Sequence, residues 1–151
     1  MKIIILITFI ISSFLYAQEI KDQFKTGDND VDQYLSEVNG YGTAQYDFFK
    51  RNLSMKFGID LRDVDRYVYK ENIRPADLYY ACTIASVTHR NVADVILLYQ
   101  DKKGWGAVAK ELGIKPGSRE FHKLKSKSMS GIGKIKSKNM EGYRGSKNKK
   151  K

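Results

Sequence analysis

The chain has 151 residues, a formal net charge of +10 and a single cysteine, Cys82. One cysteine excludes an intramolecular disulfide, and the length suits one folded domain, so packing alone must hold the core together. Small and apolar neighbours of Cys82, such as Ala81 and Ile84, predict a buried thiol and not a nucleophile.

The first residues are typical of a cleavable secretory signal peptide. Lys2 supplies a positive start, residues 3–15 are mostly apolar, and Ala17 offers a cleavage position. This apolar stretch is shorter than the ~20 residues that cross a bilayer as a helix. We therefore expect a signal peptide over residues 1–17, and an exported protein, periplasmic or secreted, without a stable membrane span after cleavage.

Two helices are predicted in the next part of the chain. The polar segment 18–42 carries a short helix that ends at Asn39 and Gly40, because its apolar residues recur at helical spacing. These apolar residues are Val31, Tyr34, Leu35 and Val38. A helical domain is then predicted over residues 43–125, and its first helix ends before Gly58.

In the middle of this domain, residues that favour helix N-termini predict three further helices. Asp60 begins one helix, Pro75 suits the first position of the next, and Asn91 precedes another. The helix after Pro75 is apolar on most faces, which predicts that it is central. Residues 65–69 are rich in β-branched and aromatic side chains and form the best candidate for a strand.

The last part of the domain is predicted to hold a short helix over residues 105–112 and a final helical turn from Ser118 to Leu124. Residues 126–151 are rich in Lys, Ser and Gly, so they bury too little apolar surface to order themselves. The predicted fold class is all-α, a small bundle of about five to six short helices with a disordered basic C-terminal tail.

The net charge belongs to the C-terminal part of the chain. Residues 1–121 hold 16 basic and 16 acidic residues, whereas the residues from His122 onward hold 11 basic residues and one acidic residue, Glu141. Such a segment is attracted to polyanions, and the alternative is a solvated tail that only keeps the protein soluble. The predicted contacts to an anionic partner are Lys123, Lys125, Lys127, Lys134, Lys136, Lys138, Arg144, Lys147, Lys149, Lys150 and Lys151.

We expect this partner to be an anionic surface of the cell envelope or an acidic protein. Nucleic acid is disfavoured because an exported protein does not meet the chromosome. No nucleophile, base and orienting group can be assigned together, and His89 and His122 lack further ligands at metal-binding spacing. The sequence therefore predicts a non-enzymatic protein without a cofactor or a metal; an envelope enzyme of unrecognised type is an alternative.

The most distinctive motif begins with Gly104-Trp105-Gly106 and continues through Ala-Lys-Glu-Leu-Gly-Ile to a Lys-Pro-Gly-Ser turn at residues 115–118. Over residues 48–125 the chain resembles a family of small exported bacterial helical proteins of unknown function. The resemblance implies a single helical domain and supplies no catalytic residues.

The same stretch allows two further interpretations. Trp105 lies between two glycines and is a candidate binding platform, with a place at the edge of the core as the alternative. The spacing is also similar to that of a helix-turn-helix, which keeps a nucleic-acid binder as an alternative function. Pro116 and Gly117 interrupt the start of its expected second helix.

Overall fold

A computed structural model describes residues 24–131, and all regular structure in this range is helical. The elements are α1 (Asn29–Ala44), α2 (Tyr46–Phe57), α3 (Leu61–Asp65), a π-helical segment (Arg66–Lys70), α4 (Pro75–Thr88), α5 (Val92–Lys102), α6 (Trp105–Glu111) and α7 (Arg119–Met129). The predicted all-α fold class is confirmed, although this range alone has seven α-helices where we predicted about five to six.

Two predicted segments fall largely outside this range. The signal peptide over residues 1–17 and most of the basic tail are not among the described residues. Between residues 24 and 131, no helix has both the length and the apolar character that are needed to cross a membrane.

Helix α4 is the centre of the bundle, as predicted. Pro75 stands at its first position, where the missing N–H costs no hydrogen bond, and nearly every later residue of the helix is buried. Helices α1, α2, α5 and α7 all pack against it. The side chains of Leu78 and Ile84 are completely buried, so α4 contributes core surface on more than one face.

Helix α1 is longer than predicted, because it continues through Asn39 and Gly40 to Ala44. The predicted stop at Gly40 was wrong: glycine is tolerated inside a helix, and here tertiary packing supports the helix beyond it. At Gly42 the backbone of α1 lies directly against Pro75. Helix α1 thus crosses the predicted boundary between residues 42 and 43, and its apolar side chains belong to the same core.

The strand considered for residues 65–69 is absent, and the chain forms a π-helical segment there. The N–H of Glu71 donates to the carbonyl oxygen of Arg66, five residues earlier, at 3.1 Å. Tyr67 is buried, and the Arg66 guanidinium lies 4.2 Å from the centre of its ring. β-branched and aromatic composition predicts a strand only where a neighbouring strand can pair, and residues 24–131 contain none.

Helix α7 extends the folded region beyond the predicted boundary at residue 126. Leu124 and Ser128 are buried, and the Tyr79 hydroxyl donates to the Ser128 carbonyl oxygen at 2.6 Å. This anchor to α4 holds the last turn of α7 in place, although its composition is polar. The prediction of disorder from Ser126 was therefore wrong for residues 126–129, which are helical.

Two glycines of α1 provide a matched pair of variants. A Cβ atom at Gly42 would lie 2.5 Å from the Cβ of Pro75, whereas one at Gly40 would meet nothing within 4 Å. We expect Gly40→Ala to stabilise the protein by about 0.5–1 kcal/mol through helix propensity. Gly42→Ala should instead destabilise it by about 1–3 kcal/mol through overpacking, as measured by urea denaturation. Equal effects at both positions would contradict the close packing of α1 on Pro75.

Candidate polyanion-binding surface

One face of α7 carries a row of positive charges. Arg119, Lys123 and Lys127 follow one another at four-residue spacing, which places them on the same side of a helix. Arg119 and Lys123 are exposed. None of the three forms an ion pair with another residue in the described part of the chain. We call these three residues the basic stripe.

Lys56 of α2 extends the positive charge beyond the basic stripe. Its ammonium donates to the Tyr79 hydroxyl at 3.0 Å, while Lys127 donates to the hydroxyl of Ser86. Desolvation against the protein and the nearby charge of Lys127 both lower the pKa of Lys56. An ammonium in this position gains from a bound anion, because the anion would offset both effects.

Lys125 differs from the other lysines of α7, because it pairs with acidic residues within the protein. Its ammonium lies 2.8 Å from carboxylate oxygens of both Asp28 and Asp30, at the start of α1. The side chain thus closes the bundle between α7 and α1. The contact of Lys125 with an external anion stays a prediction, and the Lys125 ammonium already has two carboxylate partners within the protein.

Of the other predicted contacts, Lys123 and Lys127 belong to the basic stripe. The remaining eight lie outside the described residues; they are Lys134, Lys136, Lys138, Arg144, Lys147, Lys149, Lys150 and Lys151. They follow α7 directly in the chain, so the stripe ends where this basic segment begins. Arg119 and Lys56 were not among the predicted contacts, although the four-residue spacing of Arg119 from Lys123 is visible in the sequence.

Trp105 is a core residue. Its side chain is completely buried, its ring stacks on Tyr99 with centroids 4.1 Å apart, and its Nε1 donates to the Asp77 carboxylate at 2.8 Å. Complete burial contradicts the interpretation as an exposed binding platform, and it places Trp105 inside the core and not at its edge. The next residue, Gly106, lies close to the backbone before α1: its N–H donates to the Lys25 carbonyl oxygen at 2.7 Å, and a Cβ atom there would lie 3.2 Å from the same oxygen.

The Cys82 thiol and clusters of metal-binding side chains are the remaining candidates for a chemical role. Burial raises the pKa of the Cys82 thiol to about 12, so the thiol is protonated at neutral pH. The predicted buried thiol is confirmed. Across residues 24–131, no group of three or more His, Cys, Asp or Glu side chains is arranged to hold a metal ion.

The geometry around α6 and α7 differs from that of a helix-turn-helix. In that motif a turn of three or four residues joins the two helices. Here residues 112–118 separate α6 from α7, and α7 packs mainly against α4 while α6 packs against α5. The helix-turn-helix alternative gains no support from this arrangement.

Comparison of the chain with protein families, with curated proteins and with solved structures finds no match. The resemblance inferred from residues 104–118 therefore stays a prediction.

The buried position of Trp105 predicts the effect of removing its indole N–H. We expect Trp105→Phe to lower the free energy of unfolding by about 1–3 kcal/mol, because Asp77 loses one of its donors inside the core. Tyr69→Phe, which removes a hydroxyl from an exposed ring, should change it by less than about 0.5 kcal/mol. Chemical denaturation measures both, and equal stability of the two variants would contradict the burial of Trp105.

The pairing of Lys125 predicts a second difference, between neighbouring lysines of α7. Lys125→Gln should lower the melting temperature, because Asp28 and Asp30 lose their partner, whereas Lys123→Gln should leave it unchanged. Burial opposes ionisation of Asp28, but hydrogen bonds from Lys125 and from backbone N–H groups outweigh it and lower its pKa below 3.8. Hydrogen bonds to Asp28 and Asp30 raise the pKa of Lys125 above 10.5.

The pKa shifts of Asp28 and Lys125 determine the pH range in which this ion pair stabilises the protein. The contribution of Asp28 is present above pH 3.8 and is lost as the pH falls through its lower folded pKa. The contribution of Lys125 is present below pH 10.5 and is lost as the pH rises through its higher folded pKa. Thermal melts of wild type and Lys125→Gln should therefore differ most between these limits. A difference that grows in acid would contradict the ion pair.

Proposed function

We propose that this protein is an exported, non-enzymatic binding protein that attaches to an anionic surface of the cell envelope. The basic stripe and the basic residues that follow α7 would form the contact. One observation carries the proposal: Arg119, Lys123 and Lys127 share one face of α7, and none of them has a carboxylate partner among residues 24–131.

The distribution of charge supports a local contact. Residues 1–121, which include Arg119 of the basic stripe, are balanced at 16 basic and 16 acidic residues, so the body of the protein without Arg119 carries no net positive charge. Asp28 and Asp30 neutralise only Lys125, on another side of α7. The positive potential is therefore concentrated at the stripe and in the residues after it.

The end of α7 is held in a defined place, which supports a joint role for the stripe and the following residues. Gly131 is buried, and a Cβ atom there would overlap the Tyr79 hydroxyl and the Lys56 ammonium. The described region therefore ends beside Tyr79 and Lys56. In the sequence, the basic residues of the segment that follows begin at Lys134, three positions after Gly131.

Energetics favour an extended anionic surface over a single anion. Each Lys or Arg near an anionic membrane contributes about 1 kcal/mol, and salt screens the attraction within a Debye length of ~10 Å. One such contact gives little affinity, but the stripe and the following residues together give useful binding. Such binding should fall steeply with increasing salt.

Vesicle binding tests the proposal. The mature chain should sediment with phosphatidylcholine vesicles that contain phosphatidylglycerol, and it should not sediment with vesicles of phosphatidylcholine alone. Replacing Arg119, Lys123 and Lys127 together by Gln should weaken binding about 100-fold, which follows from about 1 kcal/mol for each charge.

A second triple variant controls for net charge. Replacing Arg51, Arg90 and Lys110 by Gln removes the same charge from exposed positions outside the basic stripe. This variant should keep most of the affinity. Equal losses in the two triple variants would show that only net charge matters, and equal binding to neutral vesicles would overturn the proposed function.

A further inference from the structure

A second surface feature lies away from the basic stripe. An open groove with a volume of about 780 Å³ runs between the first half of α2 and the unit formed by α3 and the π-helical segment. Its walls carry four acidic side chains, four basic side chains and two tyrosines, Tyr46 and Tyr69. We call it the charged groove. In contrast to the stripe, its formal charges are balanced.

Six of the eight charged side chains in this groove form three ion pairs with one another. Lys50 of α2 contacts Asp65 across the groove. Arg62 contacts Asp60 at 3.2 Å, and Arg66 contacts Asp63 at 3.2 Å. Each pair is partly exposed, so it still offers free carboxylate lone pairs and N–H groups to a ligand. The walls therefore present donors and acceptors side by side without a net charge.

The two tyrosines give the charged groove an aromatic surface. The Tyr46 hydroxyl donates to Asp65 at 2.8 Å, and its ring contacts the ring of Tyr69 at a centroid distance of 4.8 Å. Tyr46 is thus fixed, while 64% of Tyr69 remains exposed. The π-helical segment is what places Tyr69 at the groove, and such segments occur frequently at functional sites.

We propose that the charged groove binds an uncharged, polyhydroxylated ligand, namely a stretch of a neutral glycan chain. A hydroxyl group donates and accepts at once, so it can donate to Asp60 or Asp63 and accept from the paired arginine without separating them. The exposed ring of Tyr69 offers its electron-rich face to the C–H groups of a sugar ring. The open shape leaves room for an extended chain.

Charged ligands fit these walls less well. A polyanion would meet four carboxylates, and a polycation would meet four cationic groups. A peptide with mixed charges would have to replace the existing pairs, and exchanging one exposed ion pair for another yields little free energy. A ligand that adds hydrogen bonds to intact pairs avoids this exchange, which favours the glycan over the peptide.

Titration with defined oligosaccharides tests this assignment. Chitohexaose, cellohexaose and maltohexaose are added to the full mature chain, and binding is followed by calorimetry and by amide chemical shifts. At least one of them should bind, with shifts centred on Tyr46, Asp65 and Tyr69. Because the ligand is uncharged, its affinity should be nearly the same at low and at high salt.

Variants separate this site from the basic stripe. Tyr69→Ala should weaken sugar binding at least about tenfold, a loss of ~1.4 kcal/mol, and Tyr69→Trp should retain it. Leu97→Ala on α5 is the matched control, because Leu97 is also 64% exposed and lies outside the charged groove. The stripe variant should bind the sugar normally, and Tyr69→Ala should still bind anionic vesicles. Each proposal can therefore fail without the other.

Three results would overturn the glycan assignment. The first is that none of the three oligosaccharides binds at millimolar concentration. The second is that binding occurs but is unchanged in Tyr69→Ala. The third is that a hexapeptide of alternating Glu and Lys binds in a manner that depends on Tyr69 while no sugar does, which would assign the charged groove to a peptide.

Discussion

A buried carboxylate at the start of α4 is the constraint on which much of the bundle depends. Asp77 is almost completely buried, and it accepts hydrogen bonds from Trp105 Nε1 at 2.8 Å and from Arg74 Nε at 2.5 Å. A buried charge without partners is strongly destabilising, so Asp77 requires both. The guanidinium of Arg74 in turn lies 4.3 Å from the centre of the Phe24 ring. One carboxylate therefore ties α6 and the segment before α1 to the central helix.

A second contact of α4, made by Tyr79, determines where the basic surface lies. The Tyr79 hydroxyl binds the Ser128 carbonyl oxygen, and Thr83 and Ile84 continue the buried surface of the helix. Helix α7 is thereby fixed in rotation, with Leu124 inward and Lys123 outward. Because Leu124 and Lys125 are consecutive, the same rotation directs Lys125 toward the start of α1. The packing of α7 therefore decides which of its lysines meets a carboxylate: Lys125 does, and Lys123 does not.

Two surfaces with different electrostatic character result from this arrangement. The basic stripe has three cations without carboxylate partners among residues 24–131, whereas the charged groove has as many acidic as basic side chains. The first suits a polyanionic surface, and the second suits a neutral ligand rich in hydroxyl groups. Under the two proposals, binding at the basic stripe falls with increasing salt, whereas binding in the charged groove does not.

Local sequence signals determined most of the helices. Pro75 begins α4, Gly58 ends α2 in the left-handed conformation with φ of 71°, and the Ser118 hydroxyl accepts from the N–H of Phe121. Helical spacing of apolar residues also identified α4 as central. These signals act over a few residues, so they can be read from the chain without a tertiary structure. The charge split at His122 can be read in the same way.

Only the tertiary structure decided the rest, because the partners lie far apart in the chain. Lys125 meets Asp28 across 97 residues, and Trp105 meets Asp77 across 28. Helix α1 continues past Gly40, since packing of Gly42 against Pro75 outweighs a weak local stop. The sequence around a lysine, a tryptophan or a glycine is compatible with several roles for that residue. Which role it takes depends on the group that folding places beside it.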